Sequence, residues 1–482
     1  MNILLINPPC RSAYLLPLGL GYIASVIRDK GHNVKILDIN ALEYSPEKVR
    51  QILKNLDFDI AGIGGLTTTY GYVKWLSHAI KKDRPHVPIV AGNMVSTAHP
   101  ELLLKNSSVD IAVIDEGELT FKDIVSAIES NRDIGGIKGI FYKDSSKKII
   151  KNPPRERITD LDLLPFPAWD LFPMEVYLNN SRLSSSTGLA SINISTVRGC
   201  PYSCTFCSRQ FGRKVYTRFA KGIVDEIKEL KIRYKIKSIA FSDDLFLVNE
   251  ERVLELCDRI IFDKIDIKWS TSGRVNLVND NLLKKMHKAG CIELSFGFES
   301  GSQDMLNRMN KAVTVAQAEK AIKITRKAGI RVLGSFIFGM PGETHESIKE
   351  TLAFIKRTQL PMYRFFYATP YPKTELYEIA MKTGKIPEDE DKYVESLGEM
   401  RTTFLVNLTD FSDIELVRLK NLAEQTARRN LSLKYKFEEF AEDWHRRLVT
   451  TRLSLRNAGI SLTIKKIFSK ILQKLKKIIM AG

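Results

Sequence analysis

Three cysteines, Cys200, Cys204 and Cys207, lie in one short run of the chain, RGCPYSCTFCSR over residues 198–209. Their spacing is C-x3-C-x2-C. Three thiolates on one tight loop can ligate three irons of a 4Fe–4S cluster and leave the fourth iron without a protein ligand. An iron with an open position can bind a substrate, as open metal positions do at catalytic sites. A zinc site normally takes a fourth protein ligand, and no further Cys or His lies nearby in the sequence, so the spacing favours the iron–sulfur centre.

The other cysteines, Cys10, Cys257 and Cys291, are scattered along the chain, and Cys257 falls on an apolar helical face. Six cysteines in 482 residues are too few for the disulfide framework of a secreted protein. The first residues lack a basic stretch followed by an apolar one, and no run of about 18 apolar residues occurs. We therefore expect a cytoplasmic protein in a reducing compartment.

The elements that would position the cysteine loop are short apolar runs, each followed by polar or glycine-rich residues. The predicted strands cover residues 193–196, 237–241, 267–271, 293–297, 332–338 and 363–367. Helical patterns fill the intervals, among them 222–230, 250–261 and 315–328. Such repeated strand–helix units predict a parallel, barrel-like sheet whose active site follows the carboxyl ends of the strands.

The cysteine run and the strands around it resemble the radical S-adenosylmethionine (SAM) superfamily, whose signature is C-x3-C-x-aromatic-C. Phe206 occupies the aromatic position. The resemblance implies a partial (β/α)6 TIM-like barrel over residues 189–380, and an open iron chelated by the amino and carboxylate groups of SAM. It also implies that Phe206 lies against the adenine, close to the glycine-rich turn that starts at Gly339.

The same resemblance implies further SAM contacts just after the strands. Asp243 and Asp244 would contact the amino group, and Arg274 would pair with the carboxylate, which suits a bidentate guanidinium. Glu299 and Ser300 would contact the ribose or the methionine part. Each of these residues also fits capping of a strand end or a surface ion pair, and the sequence leaves that choice open.

Ahead of these residues, the first third of the chain alternates strands with helices. Apolar runs at 2–7, 34–38, 60–63, 87–91 and 111–114 predict strands, and helical patterns lie between them at 18–29, from 70 to 82 and from 120 onward. This alternation predicts an α/β domain with a doubly wound, mostly parallel sheet. Ligands bind beyond the carboxyl ends of such strands, although glycine and proline there also serve simply to end a strand.

The runs at 3–9, PLGLGYIA at 17–24 and DEGE at 115–118 resemble the Rossmann-like cobalamin-binding domain found in many radical SAM enzymes. The Asp-x-His-x-x-Gly motif, which supplies a lower axial histidine in some cobalamin proteins, is missing from this sequence. A bound cobalamin would therefore be held without a histidine from that motif, and loss of cobalamin from the domain is the alternative. The resemblance implies cobalamin contacts at the strand ends: Pro8, Pro9, Leu18, Gly19, Gly64, Gly65, Leu66, Thr67, Gly92, Asn93, Glu116 and Gly117.

The end of the chain is basic. The net charge is +17, yet residues 444–482 hold ten Lys or Arg and no Asp or Glu, so the rest carries only a small excess. A helix is predicted over 414–435, whereas 382–392 reads as a polar loop. Residues 462–480 place Ile and Leu on one face of a basic amphipathic helix, which suits peripheral contact with an anionic membrane or packing on another protein surface. Base-stacking aromatic residues are sparse there, which argues against nucleic acid.

Together these features predict a cobalamin-binding domain at 1–140, a linker at 141–188, the radical SAM barrel at 189–380 and a helical region at 381–482. The resemblance is to class B radical SAM methyltransferases. It implies a C-methyltransferase that uses a 4Fe–4S cluster, SAM and methylcobalamin on an unactivated position of a small-molecule or lipid-like substrate. It also implies a reductant such as flavodoxin or ferredoxin.

A non-methylating member of the same architecture, such as a tetrapyrrole cyclase or a rearrangement enzyme, is the alternative function. Methylthiolation of tRNA would require three more N-terminal cysteines, and only Cys10 precedes Cys200. A non-catalytic cobalamin- or SAM-responsive regulator would not need the cysteine triad.

Overall fold

The structure is a computed structural model that describes residues 1–10, 15–179, 189–399 and 404–430. The predicted basic helix at 462–480 and the end of the helix predicted over 414–435 lie outside the described residues. Within the described residues, no helix is both long and apolar enough to cross a membrane.

The N-terminal part is built on a seven-stranded sheet with the order β2-β1-β3-β4-β5-β6-β7. The first five strands are parallel to their neighbours, and the last two join antiparallel. The strands are β1 Asn2–Asn7, β2 Asn33–Asp38, β3 Ile60–Gly64, β4 Ile89–Gly92, β5 Ile111–Val113, β6 Ile140–Lys143 and β7 Ile149–Lys151. The helices are α1 Leu18–Arg28, α2 Ile39–Leu42, α3 Pro46–Asn55, α4 Tyr70–Asp83, α5 Met94–Thr97, α6 Pro100–Asn106 and α7 Glu118–Glu129.

The expected doubly wound sheet is confirmed, because apolar residues on both faces of each central strand are covered by helices. Leu4 and Ile6 pack with α3, α4 and α6, whereas Ile3 and Leu5 pack with α1 and α7. Strands buried on both faces read as continuous apolar runs, which is why their positions were predictable. The sheet extends beyond the boundary expected at residue 140, since β6 and β7 pair within residues that the sequence assigned to a linker.

The second sheet has six parallel strands in the order β15-β14-β13-β12-β11-β8, which is an open, partial barrel. Its strands are β8 Ser191–Ile194, β11 Ser238–Phe241, β12 Lys268–Gly273, β13 Cys291–Glu299, β14 Arg331–Phe338 and β15 Met362–Tyr367. The helices beside them are α8 Met174–Asn179, α9 Ala220–Tyr234, α10 Glu250–Phe262, α11 Asp280–Lys288, α12 Gln303–Arg308, α13 Val315–Lys327 and α14 His345–Thr358. A separate two-stranded ladder, β9 Val197–Arg198 with β10 Tyr216–Thr217, follows β8.

The chain after the barrel returns to the N-terminal part. Its helices are α15 Glu375–Lys382, α16 Glu390–Ser396 and α17 Asp413–Asn430. Tyr393 and Val394 of α16 are buried in the same apolar core as α4, and Asp391 pairs with Lys74 of α4 at 2.6 Å. The polar loop predicted at 382–392 is wrong at its end, because Asp389 caps α16 by accepting from the Lys392 N–H.

Candidate active site

The cysteine loop, residues 199–215, leaves and re-enters the fold through the β9–β10 ladder. The Cys200 N–H donates to the Gly212 carbonyl at 3.1 Å and closes the base of the loop. Gly199 has φ +92°, and a Cβ at this position would lie 2.0 Å from the Lys214 carbonyl oxygen. Only glycine fits that backbone position, so the glycine just before the first cysteine sets the sharp turn of the loop.

Two carboxylates after β11 hold the start of this loop. Asp243 accepts hydrogen bonds from Thr196 Oγ1 at 2.6 Å and from the Val197 N–H at 2.9 Å, and also from Ser195 Oγ and the Thr196 N–H. Three of these bonds end on Oδ1 and one ends on Oδ2, so the protein occupies most of the acceptor capacity of Asp243. Its expected contact with SAM is therefore not supported, and its bonds give it a structural role.

Asp244 keeps accepting capacity free for a ligand. Within the described residues, it accepts a hydrogen bond from the Gly199 N–H at 2.8 Å. Burial, with the neighbouring charge of Asp243 in addition, raises the pKa of Asp244. A buried carboxylate with an unfilled acceptor position beside the cysteine loop still fits the expected contact with an amino group.

The far side of the loop is fixed by the end of α12 and by α15. The Thr205 N–H donates to the Met309 carbonyl at 3.0 Å, and the Thr205 carbonyl accepts from the Leu376 N–H at 2.9 Å. Phe206 packs on an apolar group that includes Met305, Met309 and Met340. This packing fixes the position of Phe206, the aromatic residue of the motif.

The three thiols lie within electrostatic reach of one another. The pKa of Cys207 is raised to about 11, chiefly by burial and also by the neighbouring Cys204 and Cys200, whereas Lys311 opposes the rise. Burial also raises the pKa of Cys200, and Arg274 opposes that shift. Arg274 and Lys311 thus partly offset the destabilisation of the thiolates that burial causes.

Across the part of the chain that the structure describes, no three His, Cys, Asp or Glu side chains converge closely enough to hold one metal ion.

Arg274 lies against the cysteine loop itself. Its Nη1 is 3.7 Å from Cys204 Sγ, its Nη2 donates to the Lys311 carbonyl, and the guanidinium stacks 3.4 Å from the Tyr202 ring centre. The expected pairing of Arg274 with a SAM carboxylate has little support, because these contacts already use the guanidinium. Its position indicates a role beside the sulfur of Cys204.

Glu299 is aimed by a distortion of the end of β13. Its φ is +63°, and the pairing with β14 shifts register between Gly297 and Glu299. The side chain forms a buried ion pair with Lys311 Nζ at 2.8 Å, and Lys311 Nζ lies 5.7 Å from the centre of the Phe206 ring. Backbone strain of this kind in a buried acid is common at functional sites. Sequence reasoning missed Lys311, which follows no motif and is brought to the site only by the turn after α12.

Ser300 and Gly339 differ in how far they reach the site. Ser300 Oγ bonds Thr351 Oγ1 of α14 at 3.0 Å and accepts from the Ser302 N–H, so its expected contact with SAM is not supported. Gly339 has φ +90°, and its N–H donates to Glu343 Oε2 at 2.6 Å. The glycine-rich turn is thus closed by a hydrogen bond to the carboxylate of Glu343, which belongs to the same turn.

At the N-terminal sheet, the carboxyl ends of β1, β3, β4 and β5 meet at one edge. A Cβ built on Gly92 or Gly19 would meet no atom within 4 Å, so both positions border open space. Asn93 and Asp115, which follow β4 and β5, have φ of +68° and +65°. Open glycines next to strained turns fit a cradle for a large planar ligand such as cobalamin.

The remaining residues expected at this edge are less accessible. Gly65 is packed by Thr69 and Val95, Gly64 by Leu20, and Gly117 by Ile23. Pro8 and Thr67 are buried, Pro9 and Leu18 are half-buried, and Leu66 is exposed at the tip of its loop.

Glu116 has a different partner from the one expected. Its carboxylate accepts from Arg198 Nη1 at 2.7 Å through one oxygen and from the Ile158 N–H at 2.8 Å through the other. Its expected contact with cobalamin is therefore not supported. The edge nevertheless touches the cysteine loop, because Ser208 Oγ, next to Cys207, lies 3.9 Å from Met94 Sδ after β4.

Comparison with known proteins bears on this pairing of sites. The model of the B12 binding domain matches residues 10–125, and that of the Radical SAM superfamily matches residues 194–355. A relative from Pyrococcus horikoshii, named an uncharacterized methyltransferase, is 37% identical over 391 residues, which are 79% of this chain and 83% of the relative. The chain belongs to the family of B12-binding radical SAM enzymes.

More distant members of this family have differing names. The anaerobic magnesium-protoporphyrin IX monomethyl ester cyclase of Rubrivivax gelatinosus is 28% identical over 75% of this chain and 66% of the relative. The cytidylyl-2-hydroxyethylphosphonate methyltransferase of Streptomyces wedmorensis is 27% identical over 81% of this chain and 84% of the relative.

Two solved structures share the fold of this radical SAM enzyme. The methyltransferase TsrM from Kitasatospora setae superposes with a TM-score of 0.67 at 18% identity, over 80% of this chain and 77% of that one. The cobalamin-dependent enzyme OxsB superposes with a TM-score of 0.64 at 21% identity, over 90% of this chain and 62% of that one. The enzyme's cofactors are thus a 4Fe–4S cluster, SAM and cobalamin.

Proposed function

We propose that the enzyme is a C-methyltransferase that acts on an unactivated position of a small molecule. The observation that carries the proposal is the contact between the two cofactor sites: the strand-end edge of the B12-binding domain lies against the cysteine loop, at Met94 and Ser208. A methyl carrier and a SAM-cleaving centre need this proximity to act on one substrate. The Pyrococcus horikoshii relative is named a methyltransferase.

In this proposal the protein mainly holds and orients its cofactors. Cys200, Cys204 and Cys207 would ligate the cluster, and Asp244 and the Glu299–Lys311 pair would contact SAM. The open edge at Gly19 and Gly92 would hold cobalamin. When bound, the cluster supplies the electron that cleaves SAM and the cobalamin carries the methyl group, and the chain supplies position and exclusion of water.

The substrate class and the reductant are also part of this proposal. A small-molecule substrate would enter through the open side of the barrel, and a flavodoxin or ferredoxin would reduce the cluster. A lipid-like substrate and contact of residues 462–480 with an anionic membrane stay predictions from the sequence.

The test separates the two cofactor chemistries without knowledge of the substrate. The full chain is purified anaerobically with hydroxocobalamin, its iron and cobalamin are counted, and it is reduced with SAM that carries a deuterated methyl group. We expect about four irons per chain, 5′-deoxyadenosine, S-adenosylhomocysteine and deuterated methylcobalamin. Cys204→Ala should lose the iron and the 5′-deoxyadenosine, whereas Cys257→Ala, a buried cysteine of α10, should keep both.

The outcomes discriminate among the candidate functions. Bound cobalamin that never acquires the labelled methyl group, together with intact SAM cleavage, would favour a cyclase or rearrangement enzyme, as the name of the Rubrivivax relative suggests. Iron without cobalamin would overturn the methylcobalamin route. Absence of SAM cleavage in the loaded, reduced protein would favour a regulator.

A further inference from the structure

Within the part of the chain that the structure describes, the inner face of the last barrel strand, β15, is uncovered. Tyr363 and Phe365 point to the helix side, where Phe365 packs on Phe336 and the Tyr363 hydroxyl bonds the Ile355 carbonyl of α14. Side chains alternate along a strand, so Arg364 and Phe366 point to the opposite face, toward the barrel interior. Both are exposed, Phe366 to 52%.

The register places Arg364 close to the proposed SAM site. Arg364 pairs with Ser335 of β14, and Ser335 pairs with Gly297 of β13. A Cβ on Gly297 would touch Glu299 Oε1 and lie 3.1 Å from Lys311 Nζ. Two strand spacings amount to roughly 10 Å, so Arg364 and the Glu299–Lys311 pair lie on the same face of the sheet, separated by a distance that a small molecule could span.

No partner for the charge of Arg364 lies among the described residues. Lys311 is neutralised by Glu299 and Arg274 is bound to the cysteine loop, whereas Arg364 has neither an ion pair nor a hydrogen bond within the described ranges. Ser335, beside it, is half-buried and offers a hydroxyl. A lone cation in an open barrel, next to a hydroxyl and an exposed phenyl ring, suits an anion attached to an apolar body.

We propose that Arg364 binds an anionic group of the substrate, a carboxylate or a phosphate, and that Phe366 supports the apolar part of the same molecule. This inference rests on the proposed function, because it places a substrate beside the SAM site. It predicts that the enzyme selects acids over their esters or amides. Such selection follows from charge, since an ester or amide offers the guanidinium no negative oxygen.

The test uses two fluorescent probes that differ in charge. 8-Anilinonaphthalene-1-sulfonate is an aromatic anion, and N-phenyl-1-naphthylamine is its uncharged counterpart. We expect Arg364→Gln to weaken binding of the anion about fivefold and to leave binding of the neutral probe unchanged, and Arg364→Lys to retain most of the affinity. Phe366→Ala should weaken both probes. The matched control is Arg357→Gln, which removes an arginine of α14 that pairs with Glu319 at the surface. It should change the binding of neither probe.

Competition then separates the two anion classes. Benzoate and phenyl phosphate are added to the complex with the anionic probe, and benzamide serves as the neutral competitor. Stronger displacement by phenyl phosphate indicates a phosphate, and stronger displacement by benzoate indicates a carboxylate. The proposal is overturned by equal affinity of wild type and Arg364→Gln for the anion, by the absence of probe binding, or by displacement with benzamide as effective as with the more effective of the two anions. Probe binding needs no SAM cleavage, so failure here is distinct from failure of the proposed function.

Discussion

Arg198, two residues before the first cysteine, donates to Glu118 at 2.5 Å through Nη2 and to Glu116 at 2.7 Å through Nη1. All three side chains are at most 8% exposed, and the guanidinium also lies over the rings of Tyr22 and Phe211. Because both acids follow β5, the cobalamin edge is tied directly to the base of the cysteine loop. A rigid link of this kind fixes the distance between the two cofactor sites.

We expect Arg198→Met to destabilise the protein by about 3–5 kcal/mol, because it leaves two buried carboxylates without a cation. Unfolding of the apoprotein in urea, together with iron content after reconstitution, measures the effect. Combining the change with Glu116→Gln and Glu118→Gln should restore most of the stability, since the uncompensated charge is then gone.

The matched control is Arg28→Met, which breaks the half-exposed pair with Asp170 and should cost less than about 1 kcal/mol. A loss no larger for Arg198→Met than for this control would show that the buried pair does not hold the loop.

The positions of the strands could be predicted well from the sequence, whereas the partners of the charged side chains could not. β1 has the predicted bounds, and the other core strands begin or end within a few residues of prediction, because continuous apolar runs are a local signal. The cysteine triad was also readable, since its chemistry depends on spacing within one loop. The short, half-buried strands β6 and β7 give no such run and were assigned to a linker.

The roles of carboxylates depend on what lies opposite them in space. Glu116 and Asp243 end strands where ligand contacts were expected, yet one pairs with Arg198, 82 residues away, and the other with Thr196, 47 residues away. Lys311 reaches the site through a turn with left-handed residues on both sides, Asn310 and Ala312. No pattern in one sequence carries that information.

Arg274 should tune the cluster, because its guanidinium is 3.7 Å from Cys204 Sγ. A positive charge beside a cluster ligand favours the state with one more electron. We expect Arg274→Met to lower the reduction potential by about 60 mV, equivalent to a tenfold change for a one-electron couple. Potentiometric titration followed by electron paramagnetic resonance measures it.

Tyr202→Leu is the control for this change, since it removes the stacked ring and keeps the cation. It should shift the potential much less. Equal potentials for Arg274→Met and wild type would assign the arginine a purely structural role.

Gly92 offers a way to block cobalamin without disturbing the cluster. A Cβ there meets open space, so Gly92→Val should fold normally and fill the space that a ligand would use. We expect cobalamin retention, measured from the visible spectrum after gel filtration, to fall at least tenfold while iron content is unchanged. Gly136→Val also projects into open space, away from the strand-end edge, and should retain cobalamin. Full retention by Gly92→Val would move the cobalamin site elsewhere.

The buried carboxyl of Glu343 should make the free energy of unfolding depend on pH. Burial raises the pKa of its carboxyl from 4.5 to about 7, although the Gly339 N–H partly opposes that rise. Between these values the folded chain holds a proton that the unfolded chain has lost, so this contribution to the free energy of unfolding is complete below pH 4.5 and falls as pH rises to about 7. The loss amounts to about 3 kcal/mol. Urea unfolding of the apoprotein from pH 4.5 to 8 should therefore show a decline that Glu343→Gln removes and that the exposed Glu346→Gln leaves in place. An unchanged pH profile in Glu343→Gln would mean that the carboxyl titrates normally in the folded turn.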